Sequence, residues 1–241
     1  MKPSFLKKLF LFFVLALVGS LIFFHYKNET LPLIKGYWIW AGVLPASLPS
    51  SAPTTLYVYQ GVIIKKQGRE FFIKKGLSPH SIKASDLYLV FRIEGDLPTP
   101  SHVVHLIESF CNDWKKHNVR VSGIQLDFDA PTSKLLVYSS FLKTVRAGLS
   151  QFFKLSITGL GDWVVFNTHD LILLSQTTDE IVFQLYQGRS YIPNLNFYLR
   201  KLSHLRIPFK VGILSPQLSK KEIDMLKKNP YFKGMLIFLQ R

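Results

Sequence analysis

The sequence predicts an α/β protein, a compact or incomplete TIM (β/α)8-like barrel preceded by one N-terminal transmembrane helix. Three observations carry that expectation. A basic start gives way to an uncharged apolar run from Leu9 to Phe24. Short stretches of β-forming residues then alternate with helical patterns. One of those stretches, from Val121 to Pro131, sets two aspartates on the same side of a strand. The chain divides accordingly into 1–26, a membrane anchor or signal segment, 27–35, a short linker, and 36–241, the barrel domain.

The anchor comes first. Lys2, Lys7 and Lys8 precede the apolar run, and Lys27 is the one base soon after it. Positive flanks stay cytoplasmic, so the body is expected in the periplasm or outside the cell, tied to the inner (cytoplasmic) membrane. The run is near the lower limit for a span, roughly 17 residues, and Phe5 and Leu6 extend it. Cleavage as a signal peptide calls for small residues at the processing site. This run ends Leu21-Ile22-Phe23-Phe24-His25-Tyr26, with only Gly19-Ser20 small, so an uncleaved anchor is favoured over a cleaved signal.

Strand patterns follow at 37–40, 56–64, 87–93, 121–128, 154–159, 180–186, 209–214 and 234–239. Helical patterns occupy 102–117, 133–149, 168–176, 195–205 and 219–228. Start signals mark several helices: Pro100-Ser101, Pro131-Thr132, and Ser219 before Lys220-Lys221-Glu222. Strand-then-helix repetition argues for a parallel sheet under helices, and about eight strands is the number that closes a barrel. No helix fits between the first two strands, residues 71–73 add a hairpin, and the last strand ends the chain. An open doubly wound sheet is the alternative, weakened by the lack of a Gly-rich phosphate loop.

Thirty Lys+Arg against 15 Asp+Glu give a formal net charge of +15. On an exported domain that points to anionic envelope material. The lysines fall in scattered pairs, such as Lys65-Lys66 and Lys227-Lys228, which together with export argues against nucleic acid as a partner. The single cysteine, Cys111, cannot form an internal disulfide and sits in a helical pattern, so it reads as a buried structural thiol. His102 and His105 read as surface residues near a helix start, and no Gly-x-Ser-x-Gly elbow supports a serine hydrolase.

The chemistry concentrates in Gly123-Ile124-Gln125-Leu126-Asp127-Phe128-Asp129. Side chains alternate along a strand, so Gln125, Asp127 and Asp129 share the face opposite Ile124, Leu126 and Phe128. In a barrel that face enters the lumen and rises to the C-terminal mouth. Two inward carboxylates need a reason. They form an acid and its orienting partner, or they hold a hard cation, or they are neutralised by inward bases. Alternation makes Arg92 and Lys210 the candidates for such bases. Glu94, Asp162 and Gln187-Gly188-Arg189 also end strands at the mouth. Trp38, Trp40 and Trp163 are candidate sugar platforms, although aromatics at strand positions are more often core.

The segment 123–129 resembles the strand motif of family-eighteen glycoside hydrolases, Asp-Gly-x-Asp-x-Asp-x-Glu. Asp127 falls on the last aspartate and Asp129 on the catalytic glutamate, one methylene shorter; Ser122 and Gln125 replace the first two aspartates. Gln184-Leu185-Tyr186-Gln187 resembles the later Met-x-Tyr-Asp, with Tyr186 matching and Gln187 in place of the aspartate. Over more of the chain the sequence is similar to the bacterial domain of unknown function 3142. Its recurring pieces fall at Gln125/Asp127/Asp129, Tyr138, Ser156/Thr158/Leu160/Trp163 and Gly188. The resemblance implies an exported barrel-like domain of uncharacterised activity and names no substrate. The inward-facing Gln-x-Asp-x-Asp run makes the leading expectation a membrane-anchored, glycosidase-like barrel, without cofactor or resident metal, acting on or binding an envelope or extracellular polysaccharide. Asp129 would be the acid and Asp127 its partner, with Gln125, Tyr186, Gln187 and Glu94 as polar wall. The alternatives are a non-catalytic carbohydrate-binding or scaffolding module, or a metal-dependent transferase using the Asp-x-Asp pair.

Overall fold

Strand propensity and lumen filling together explain the architecture. The computed structural model describes residues 33–40, 55–79, 82, 86–214 and 218–239. The strands are β1 (Ile34–Ile39), β2 (Thr55–Lys66), β3 (Arg69–Lys74), β4 (Asp86–Gly95), β5 (Gly123–Asp127), β6 (Lys154–Leu160), β7 (Glu180–Gln184), β8 (Tyr186–Gln187), β9 (Ser190–Tyr191), β10 (Phe209–Ile213) and β11 (Phe232–Leu239). In space the order is β1-β11-β10-β7-β6-β5-β4-β2-β3, and β1 also pairs with β2, which closes a parallel barrel of eight strands. The predicted barrel is present, and it is closed rather than open-sided.

β3 lies outside the ring. β1 covers the first half of β2, with Tyr37 opposite Leu56 and Ile39 opposite Val58. Beyond that the hairpin partner β3 takes over, antiparallel, from Gly61 to Lys66. The remaining edge of the long strand is thereby paired rather than exposed. The expected hairpin at 71–73 is this element.

The helices follow β4 to β10: α1 (Pro100–Lys116), α2 (Leu135–Gly148), α3 (Trp163–Phe166), α4 (Thr168–Thr177), α5 (Leu195–Leu202) and α6 (Lys220–Lys227). Proline in the first turn of α1 uses a position whose N–H has no intrahelical partner. Asn167 caps α4 by accepting from the Asp170 N–H at 3.1 Å. Ser219 and Glu222 form a reciprocal capping box on α6. Residues 41–54, between β1 and β2, lie outside the described residues. So do the apolar run and residues 27–32 of the linker, whose last two residues, Ile34 and Lys35, belong to β1. Among the described residues no helix is long and apolar enough to cross a membrane.

Two apolar layers result from strand alternation. One packs outward, where Leu89, Phe91, Ile124 and Leu126 meet helix residues such as Val103, Ile107 and Trp114, all buried. Cys111 is in this layer, and burial pushes its thiol up to about 12. The other layer fills the lumen with Trp38, Tyr57, Tyr88, Val90, Val182 and Leu236. Each such side chain stabilises by about 1.5–3 kcal/mol relative to exposure. Their bulk demands glycine on nearby strands. A Cβ on Gly212 would run into the Trp38 indole, and one on Gly123 into the Tyr88 ring.

Candidate functional site

Register decides which lumen residues meet. Arg92 lies opposite Asp127 in the β4–β5 ladder, and Thr158 and Gln184 rise beside them on β6 and β7. Asp127 ends β5 and is only 2% exposed. Its Oδ1 accepts from Thr158 Oγ1 at 2.7 Å, with Gln184 Nε2 at 3.4 Å, and its Oδ2 accepts from Arg92 Nη1 at 3.0 Å. Burial raises the Asp127 carboxyl above its ordinary value, while Arg92 and Thr158 pull the other way.

The chain leaves the ladder after Asp127. Phe128 packs edge-on against Tyr138, 5.2 Å between centroids, and Asp129 emerges into the mouth with its side chain 46% exposed. Its Oδ2 accepts from Arg92 Nη2 at 3.0 Å, and Arg92 Nε donates to Glu94 Oε1 at 3.1 Å. One guanidinium thus holds three carboxylates, a fork well suited to that task. Burial disfavours the charged guanidinium, but Asp127 and Asp129 outweigh it and raise Arg92 overall.

Above this cluster lies a cavity of about 1100 Å³. Trp40 stacks on Tyr59 at 4.0 Å and 11°, and Tyr186 on Phe238 at 5.2 Å and 29°. Burial, then Asp127 and Asp129, push the Tyr186 phenol well above its ordinary value. Tyr198 donates to Asp162 Oδ1 at 2.7 Å on the far wall. Gln187 and Arg189 line the rim, on or beside the small antiparallel β8–β9 hairpin. The strand expected over 180–186 breaks at Leu185 to make that hairpin.

The structure therefore brings together Asp127, Asp129, Glu94, Tyr186, Gln187 and Trp40. It separates three others from the cavity. Trp38 is 2% exposed, inside the lumen, and donates from its indole to Gln125 Oε1. Gln125 is fully buried and donates to Ser156 Oγ at 2.9 Å, a layer below the acids. Trp163 is fully buried under α2 and donates to the Ala130 carbonyl at 2.9 Å. Neither tryptophan presents a face to a sugar, and Gln125 is part of the lumen packing rather than of the wall.

Of the two inward bases, Arg92 meets the aspartates and Lys210 does not. Lys210 pairs with Glu180 at the barrel floor. Arg92 also stands between Asp127 and Asp129, where a shared cation would sit. No group of three or more His, Cys, Asp or Glu is placed to hold a metal ion among the described residues. Phe238 and Tyr198 were not singled out by sequence. Alternation along β11 puts Phe238 on the lumen face of Leu236, whereas nothing in the α5 pattern marks Tyr198.

Comparison with known proteins agrees with this geometry. Residues 84–195 match the family model described as Domain of unknown function (DUF3142), a span that carries Arg92, Asp127, Asp129 and Tyr186. Among solved structures, the catalytic domain of a family GH18 chitinase from the fern Peteris ryukyuensis is similar. It shares 16% identity over 84% of this chain and 90% of that one, with a TM-score of 0.55. The chitinase domain of the spore coat protein CotE from Clostridium difficile aligns at 13% identity over 75% of this chain and 64% of that one, with a TM-score of 0.47. No curated protein matches the chain. The chain resembles DUF3142 over residues 84–195, and its likeness to the fern domain is one of fold, a parallel eight-stranded α/β barrel.

Proposed function

We propose that this chain is an exported, membrane-anchored barrel that takes an envelope polysaccharide into its mouth and acts on it as a glycoside hydrolase. Asp129 is the acid that protonates the glycosidic oxygen, and Asp127, fixed by Thr158, is its positioning partner. The observation carrying this reading is the contrast between two neighbouring carboxylates. Asp129 is exposed on the wall of a large aromatic-lined cavity, and Asp127 is sealed beneath it. Trp40 on Tyr59 supplies a stacking platform, while Tyr186 and Gln187 supply polar wall. The GH18-type fold of the fern chitinase supports a sugar as the ligand.

A second reading has its own observation. Arg92 bonds both aspartates, and an acid held by a guanidinium has to be released before it reaches a glycosidic oxygen. Under that reading the domain binds glycan without turnover. Both readings are tested with Asp127→Asn and Asp129→Asn on a panel of glycans, measuring binding by calorimetry and turnover by reducing ends. The hydrolase reading expects Asp129→Asn to lose at least about a hundredfold in turnover while keeping binding. Binding without turnover in the unaltered protein favours the second reading, turnover unchanged in both variants overturns the hydrolase reading, and an unaltered protein that binds no glycan overturns the two together. The anchor is tested separately by protease access to the domain in intact and opened spheroplasts.

A further inference from the structure

The two ends of the barrel differ in charge, and the end away from the mouth is the more cationic. At the mouth the end of β4 and the connections leaving β4, β5 and β6 hold Glu94, Asp96, Asp129 and Asp162, with Lys75, Arg92 and Arg189 on the cavity wall beside them. At the other end four connections lead into β5, β6, β10 and β11, covering residues 117–122, 149–153, 203–208 and 228–231. None of the four contains Asp or Glu. They and the residues beside them present Lys116, Arg120, Lys154, Arg206, Lys228 and Lys233, all exposed. None of these six makes an ion pair among the described residues. Asp179 at this end is already paired with Arg146 at 3.6 Å, and Asp86 accepts from Thr55 Oγ1 at 3.4 Å.

On the connection into β6 stands Phe152, 94% exposed, and on the connection into β11, with β7 and β10 between, Tyr231 is 39% exposed. Single exposed apolar residues are ordinary, but this one is held in place. Arg146 Nη1 donates to the Phe153 carbonyl at 2.7 Å and Nη2 to the Ser150 carbonyl at 3.0 Å, so the backbone on both sides of Phe152 is braced. A projecting aromatic among unpaired cations is the combination that suits an anionic bilayer surface. The ring enters the headgroup boundary while Lys and Arg meet phosphates.

We infer that the N-terminal end of the barrel is a docking face for anionic phospholipid, with Phe152 inserted from the connection into β6. The course of the chain supports the choice of lipid. β1 enters the barrel at this same end, and only residues 25–33 separate Ile34 from the apolar run. Fully extended, they reach roughly 30 Å. This support rests on the anchored reading above; the charge and the braced Phe152 do not. Docking base-down turns the mouth outward, roughly 20 Å from the headgroups given the rise and tilt of barrel strands. The cavity would then receive polymer from the side away from the bilayer.

The test uses the full chain in nanodiscs of phosphatidylcholine, with or without phosphatidylglycerol. A nitroxide is placed at Phe152→Cys and, as a control on α2, at Leu136→Cys. Cys111 is buried and does not compete for the label. The expected result is oxygen-accessible, bilayer-like saturation at 152 only when phosphatidylglycerol is present, and aqueous saturation at 136 throughout. Replacing Lys154, Arg206, Lys228 and Lys233 by Gln is expected to weaken the docked population about fivefold per charge. An aqueous label at 152 in both compositions overturns the docking face. So does an equal shift produced by a soluble acidic polymer in detergent, which would reassign the face to polyanions. If the chain fails to enter discs, the anchor is wrong, and flotation with vesicles of the two compositions reads the face directly. Equal flotation with both then overturns it.

Discussion

Two ion clusters share one lumen, and they are built differently. At the floor Lys210 meets a single carboxylate, Glu180, whose other oxygen accepts from Tyr57 at 2.7 Å and Ser156 at 2.9 Å. Both charged side chains are largely buried, at 17% and 11% exposure, and the charges balance. At the mouth Arg92 meets three carboxylates, of which only Asp127 is sealed. The floor is complete in itself. The mouth is left with surplus negative charge and two exposed acids against a cavity, which is where a ligand gains most from being bound.

The strongest way to break this contrast is at its centre. Arg92→Met leaves Asp127 buried without its cation, and the expected loss is about 4 kcal/mol in denaturant titration. A loss below about 1 kcal/mol would mean that the guanidinium is not the keystone of the mouth. Lys210→Met does the same to Glu180 at the floor, with an expected loss of about 3 kcal/mol. The two variants should then part company. Lys210→Met is expected to keep glycan binding, because it lies below the sealed Trp38–Gln125 layer, whereas Arg92→Met changes it. Equal changes in binding would erase the distinction between the ends.

A third cluster extends the balanced design outside the lumen. Glu70 on β3 accepts from the Thr99 N–H at 2.8 Å, the Thr99 hydroxyl at 2.7 Å and Lys65 at 3.2 Å, and lies 2.7 Å from His102 Nδ1. Burial alone would push its carboxyl up, but these bonds hold it at about 2 against an ordinary 4.5. A depressed carboxylate contributes stability that is present above its ordinary value and lost as pH falls towards the depressed one. Acid titration should therefore show a loss of about 2 kcal/mol between pH 4.5 and 2 that Glu70→Gln abolishes. If Glu70→Gln leaves the acid limb unchanged, the hairpin is not tied to α1 by this group.

Much of this was legible in the residues, and the gaps have a physical cause. All eight barrel strands were marked by short β-forming runs, and the capping box of α6 by Ser219 and Glu222. Period-two alternation correctly turned Asp127, Arg92 and Lys210 inward. Alternation says which face a residue takes and not at which height it lies. Height depends on the stagger of the closed barrel, so it was unreadable that Arg92 would reach the aspartates while Lys210 would reach Glu180. The same limit explains Trp38, on the right face but a layer too deep. Trp163 was misjudged for another reason: it follows β6 at the mouth end, but α3 turns its indole under α2.

The smallest expected effect is the one that bears most on function. Asp129 lies 46% exposed, and its bond to Arg92 is a surface pair sharing a cation already engaged by Asp127. Such pairs contribute little, so Asp129→Asn should change stability by no more than about 0.5 kcal/mol. Asp127→Asn removes a sealed acceptor of three donors and should cost more, about 1–3 kcal/mol. If Asp129→Asn proves as destabilising as Asp127→Asn, the mouth is a second structural lock like the floor. If it is neutral for folding yet ends turnover or weakens binding, the exposed acid is free for the ligand.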